Sequence, residues 1–175
     1  MFNVALETIR AMIHTRRWHT APVLREQTLA EHSGTVAQLA LWLVEDLPLR
    51  ADELLEITRL SLCHDAHETV YGDIPYCLKA EMKARGIDLD KENQDRFWGG
   101  DFESWFRPFV LKVVQMADRL EAALYAEIWV PTLADETLET AILEAERMFE
   151  DGDAAAEKVL SRVREALKVG VIVER

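Results

Sequence analysis

Between residues 108 and 128 the chain places Val110, Val113, Val114, Ala117, Leu120 and Leu124 at steps of three and four. That spacing marks one face of an α-helix, and Pro108 stands at its start, where a missing backbone N–H costs nothing. In the middle of the run stands Asp118. A carboxylate among buried apolar groups is strongly unfavourable unless it is paired, so a fold that uses this helix must bring a cationic partner to Asp118, either a basic side chain or a metal ion.

The same period recurs along the chain. Phe2, Leu6, Ile9 and Ile13 predict a first helix over 2–15 with these residues on one buried face. Thr28 followed by Glu31 is a capping box, which starts a second helix running to about residue 46 with Leu29, Val36, Leu39, Ala40 and Leu43 on its core stripe. A third begins near Asp52, carries Leu55, Leu62 and Cys63 toward His64 and Asp65, and frays near Tyr71. Further helices are expected over 75–85 and 133–150, with a last one capped by Gly152 and Asp153 and ending before Gly170. Residues 16–27 break the pattern with Arg16, Arg17, Trp18 and His19, and read as a ligand-binding loop. Strand-like alternation is confined to the tail, 169–173. The expected fold is all-α, a compact helical bundle in which 1–175 form a single domain, since this length at 49% hydrophobic content suffices for one sizeable core.

A formal charge of −12 opposes sequence-independent binding to nucleic acid polymers, although Arg16, Arg17, Arg25 and Lys79 could still gather around a small anion. Cys63 and Cys77 form neither a disulfide framework nor a CxxC pair, and no segment reads as a signal peptide or a membrane span. A soluble cytoplasmic protein with no membrane partner is expected.

The densest chemistry lies in 62–79, where His64, Asp65, His67, Glu68 and Asp73 fall within ten residues and Gly72 and Pro75 close the stretch. Neighbouring His64 and Asp65 point about 100° apart around a helix, so they grip an ion from one side only. His32, early in the second helix, and Asp118 can complete the shell. Two imidazoles and two carboxylates suit zinc, cobalt, manganese or iron better than calcium.

These residues, in this order, resemble the HD-domain metal-dependent phosphohydrolases, whose pattern of a histidine, a His-Asp pair and a distant aspartate falls on His32, His64, Asp65 and Asp118. The flanks are similar to one branch, the small bacterial 5'-deoxynucleotidases and the phage enzymes that hydrolyse dATP. They are Arg17-Trp18, Glu31-His32-Ser33, His64-Asp65-Ala66 with Glu68, Gly72-Asp73 with Pro75 and Lys79, and Ala117-Asp118, spread over roughly residues 10–130. The resemblance implies an HD bundle with a divalent zinc, cobalt or manganese ion and catalytic roles for Glu68 and Asp73. It also implies a 2'-deoxynucleotide substrate, dATP or dAMP first, and a homo-oligomer built as a dimer or an assembly of dimers. Glu68 could deprotonate the attacking water, and Asp73 could hold that water or protonate the leaving oxygen. Arg17 and Lys79 are expected on phosphate and Trp18 on base or sugar. His67 departs from the branch pattern, which has a small residue there. Two alternatives stand beside this one: hydrolysis of a signalling nucleotide, and a regulatory HD module that binds nucleotide without turnover. The second has no need of Glu68 or Asp73.

Overall fold

The computed structural model describes residues 4–149 and 154–170. Its elements in order are α1 (Leu6–Met12), β1 (Arg16–Arg17), β2 (Gln27–Thr28), α2 (Leu29–Leu43), α3 (Ala51–Cys63), α4 (Glu68–Tyr71), α5 (Tyr76–Ala84), α6 (Leu89–Trp98), α7 (Pro108–Trp129), α8 (Ala134–Phe149) and α9 (Ala154–Gly170), with a 3-10 turn at Glu103–Trp105. The fold is the expected all-α bundle.

The long α7 is its axis. Pro108 occupies the first turn, and Val110, Val113, Val114, Ala117 and Leu120 are buried as the spacing requires. α2, α3, α8 and α9 all pack against α7, with α2 against α3, α8 against α9, and α2 also touching α9. The shared core joins Val36, Ala40 and Leu43 of α2, Ile57 and Leu60 of α3, Ala141 and Ala145 of α8, and Val159 and Val163 of α9 to the α7 stripe. Each fully buried leucine or isoleucine stabilises such a core by roughly 1.5–3 kcal/mol. The start of α2 is fixed as expected: the Thr28 hydroxyl accepts the Glu31 N–H at 3.2 Å, and Glu31 accepts the Thr28 N–H at 2.9 Å.

Four expectations need correction. In α1 the buried residue is Met12, while Leu6, Ile9 and Ile13 are 57%, 49% and 53% exposed. Periodicity shows which residues share a face, not whether another element covers it. In α3 the inward residues are Ile57, Leu60 and Cys63, and Leu55 and Leu62 face outward. That helix is apolar on two sides, so its pattern alone could not choose one. Residues 16–27 are framed by an antiparallel ribbon pairing Arg16 with Thr28 and Arg17 with Gln27, too short to leave an alternation. Finally, the third helix does not fray near Tyr71 but stops at Cys63. Ala66 N–H then bonds to Cys63 O and Glu68 N–H to Asp65 O, so a turn separates α3 from α4.

The cluster from Phe97 to Phe106 packs onto the bundle, with Phe102 buried and Trp98 stacked on it at a centroid distance of 5.0 Å. α9 continues through Gly170, so positions 169 and 170 of the expected extended tail are helical. The rest of that tail, together with Phe2 and the Gly152–Asp153 cap, lies outside the described residues.

Candidate metal centre and active site

The core delivers four metal-ligand types to one point. His32 comes from the first turn of α2, Asp118 from the middle of α7, and His64 and Asp65 from the turn where α3 stops. One donor atom from each lies within 4.8 Å of all the others. His32 Nε2 is 3.3 Å from Asp65 Oδ2 and 3.2 Å from Asp118 Oδ1, and His64 Nε2 is 3.4 Å from Asp65 Oδ2. The other ring nitrogens are engaged behind them: His32 Nδ1 lies 2.7 Å from Glu121 Oε2, and His64 Nδ1 lies 2.9 Å from Ser61 O. A histidine whose Nδ1 donates to an acceptor presents its Nε2 lone pair forward, the arrangement a ligating histidine needs.

The electrostatics fit a cation at this point. Burial and the nearby Arg17 depress His32, but Glu121, Asp118 and Asp65 outweigh them and hold its imidazole well above the usual value. Burial pushes Asp65 and Asp118 up, yet both are held far below the carboxylate range by their imidazole neighbours. Arg17 is largely buried, and burial opposes its charge, but Asp65, Asp118, Glu121 and Glu68 together raise it. Its Nη1 reaches Glu121 only at 3.6 Å and makes no hydrogen bond. A divalent ion held by His32, His64, Asp65 and Asp118 fits both the donor set and this excess of negative charge.

Glu68 and Lys79 form the adjoining group. Glu68 is buried at the start of α4, with Oε1 accepting from Lys79 Nζ at 3.2 Å and Oε2 lacking any partner. Burial first, then Asp65 and Asp73, push its carboxyl well above the usual range, against the opposing pull of Lys79 and Arg17. Lys79 also lies 2.9 Å from Asp90 Oδ1. Gly72, at φ 79°, adopts a backbone that side chains resist and turns the chain so that Asp73 Oδ2 accepts the Trp18 N–H at 3.2 Å. Trp18 itself has φ 62°, a strained value that costs roughly 1–3 kcal/mol and is held by surrounding contacts. Its indole N–H donates to Gln27 Oε1 at 3.1 Å, and its ring stacks on Tyr125 at 5.9 Å.

A cavity of about 520 Å³ opens on the centre, with His64, Asp65, Asp118, His67, Asp90 and Arg119 in its wall. Arg17, Trp18, Glu68, Asp73 and Lys79 are not part of that wall. Sequence reasoning passed over Glu121, Gln27 and Asp90. Glu121 carried the same signal as Asp118, an acid three residues further along one apolar stripe. It is buried, holds His32 in place and accepts from Gln27 Nε2 at 2.6 Å. Asp90 lies in a polar stretch and left no signal.

A helical bundle that gathers two imidazoles and two aspartates from separate helices around one point has the architecture of an HD-domain protein. The chain belongs to the family described as 5'-deoxynucleotidase YfbR-like, which matches residues 5–128. It is 35% identical over 116 residues to a dATP triphosphohydrolase of Salmonella phage PMBT28, an alignment covering 62% of this chain and 59% of the phage protein. The chain thus aligns with less than two thirds of that curated relative. Among solved structures, the cyanophage S-2L HD phosphohydrolase DatZ, bound to dA and one catalytic zinc ion, superposes with a TM-score of 0.69 at 19% identity, covering 97% of this chain and 99% of the other. A structural-genomics crystal structure matches at a TM-score of 0.54 and 19% identity, over 93% and 94% of the two chains. Both share the fold.

Proposed function

We propose that the chain is a metal-dependent phosphohydrolase that releases phosphate from 2'-deoxynucleotides, with dATP and dAMP as the substrates to test first. The observation that carries this reading is the convergence of His32, His64, Asp65 and Asp118 donors within 4.8 Å beside a buried Glu68 whose carboxyl is pushed well up. A divalent ion bound by these four residues would lower the pKa of its water toward about 7 and polarise a phosphoryl oxygen. Zinc, the ion in the cyanophage structure, is the first candidate, with cobalt and manganese behind it. The chain's own groups do the rest. Glu68 exchanges a proton at its unpartnered Oε2, and Asp73, anchored on the Trp18 N–H, serves the second proton transfer. Arg17, with a guanidinium nitrogen free of hydrogen bonds, stabilises charge on non-bridging oxygens, and Lys79 supplies a second cation. Trp18, fixed by Gln27 and Tyr125, is the surface on which sugar or base packs.

The choice of an adenine deoxynucleotide draws on the activity named for the phage relative. We place residues 1–175 in one catalytic unit and the protein in the cytoplasm; among the described residues no helix is long and apolar enough to cross a membrane. A homo-oligomer is also proposed, supported by the exposed Leu6, Ile9 and Ile13 of α1.

The test is incubation of metal-loaded protein with deoxy- and ribonucleotide mono- and triphosphates, followed by identification of products. Hydrolysis confined to deoxynucleotides and lost in Asp65→Ala is expected. Nucleotide binding without phosphate release in metal-replete protein would replace the enzyme with a regulatory module.

A further inference from the structure

We propose that Gln27 is a positioning residue that ties the Trp18 surface to the metal ligand His32, so that the two are set together. This rests on the metal-centre reading above and deepens it. Trp18, Gln27, Glu121 and His32 form one line of hydrogen bonds. The Trp18 indole N–H donates to Gln27 Oε1 at 3.1 Å, Gln27 Nε2 donates to Glu121 Oε1 at 2.6 Å, and Glu121 Oε2 lies 2.7 Å from His32 Nδ1. Gln27, Glu121 and His32 are 3%, 2% and 0% exposed, so water competes little for these bonds.

The chemistry of the groups leaves this line one arrangement. An indole N–H can only donate, so it must meet the oxygen of the Gln27 amide, and the amide nitrogen is then the end that meets Glu121. Turned over, the amide would set N–H against N–H at the Trp18 end. The backbone supplies the placement. Gln27 pairs with Arg17 across the ribbon, which holds the strand leading to Trp18 in register with the strand leading into α2. Glu121 follows Asp118 by three residues on α7, so both acids stand on the face that meets the centre. Each Glu121 oxygen is thereby engaged, Oε1 by Gln27 and Oε2 by His32, and the carboxylate cannot rotate without breaking one of these contacts. The cation beside it, Arg17, reaches Oε2 only at 3.6 Å and makes no hydrogen bond from Nη1. While Gln27 occupies Oε1, Arg17 is kept for an anionic ligand rather than drawn onto Glu121. A ligand packed on Trp18 acts on the same line that aims His32, and an ion on His32 steadies Trp18 in return.

The test is the Zn2+ affinity of chelator-stripped protein, measured by competition with a chromophoric chelator in wild type, Gln27→Met, Trp18→Phe and the double variant. Gln27→Met should bind about 10-fold more weakly, the low end for loss of a group that orients a ligand. Trp18→Phe keeps the ring and removes the N–H; it should weaken binding in the same direction and add nothing beside Gln27→Met. The visible absorption of the Co2+-loaded protein should change in Gln27→Met, because it reports how His32 meets the ion. If folded Gln27→Met keeps the wild-type affinity and absorption and loses only melting temperature, Gln27 is a packing residue, and the proposal is overturned while the metal centre stands. A Trp18→Phe effect that persists in full beside Gln27→Met breaks the link to Trp18 and overturns it too. If Gln27→Met fails to fold, Trp18→Phe decides alone, and wild-type affinity there overturns the proposal. No ion bound by wild type overturns the metal centre and the proposal together.

Discussion

The two halves of the active region are built in different ways. His32, Asp118 and Glu121 stand on α2 and α7, helices whose other faces are locked into the main core through Val36, Leu43, Val113 and Leu120. Glu68, Asp73 and Lys79 come from the stretch after α3, and between residues 69 and 98 no described side chain is fully buried. In the first half, apolar packing fixes where the charges sit. In the second, ion pairs such as Lys79–Glu68 and Lys79–Asp90 do that work. On the function proposed above, metal ligands must hold a fixed geometry whereas groups that pass protons and meet phosphate have to adjust, and this difference in packing suits that division.

The largest test of this division is Glu68→Gln. Turnover is expected to fall about 10²–10⁴-fold, the usual contribution of a positioned proton-transfer group. At least one tightly bound ion per chain should remain, because the first centre is held by the core. Steady-state kinetics with parallel metal analysis checks this, and complete loss of metal would mean that the two halves are not independent. Next comes Leu120→Ala, a buried α7 residue, expected to destabilise by roughly 2–5 kcal/mol in chemical denaturation. Leu78→Ala on α5, where the side chain is 42% exposed, should stay within about 0.5 kcal/mol. Equal losses would erase the distinction.

Glu121→Gln probes the joint between core and metal. Glu121 aligns His32 through Nδ1, so the expected outcome is an affinity for the ion weakened by about 10–100-fold, measured by competition with a chelator. A strictly structural role would lower the melting temperature and leave that affinity unchanged.

The same division governs what the sequence could reveal. The helices of the core wrote a 3.6-residue period into the chain, and Asp118 stood out against it, so the bundle and the four converging donors were readable. Glu121 was equally visible on that stripe. The flanking stretch obeys no period. The stop after Cys63 is made by a local turn that no Gly or Pro announces, and Asp90 meets Lys79 and His67 only through tertiary placement. The exposure of Ile9 and Leu62 was hidden for a related reason, since an apolar face looks the same in sequence whether or not anything covers it.

The smallest effect concerns the far end of the rigid half. Asp52, at the start of α3, accepts from Arg50 Nε and Nη2 at 3.0 Å and also from Arg107, the residue just before α7. Those hydrogen bonds, Arg107 first and Arg50 second, hold the Asp52 carboxyl down at about 2, against 3.8 for an unperturbed aspartate. With the folded value depressed, the unfolded chain binds the proton more readily. The pair therefore contributes its full stability above about pH 3.8 and loses it as the pH falls toward about 2. Asp52→Asn should melt slightly below wild type at neutral pH, and the gap should close on acidification through that window. Added salt should narrow it too, because the pair is exposed. If the gap is absent at neutral pH, this ion pair does not fasten α3 to α7, and apolar packing alone fixes the distance between His64 and Asp118.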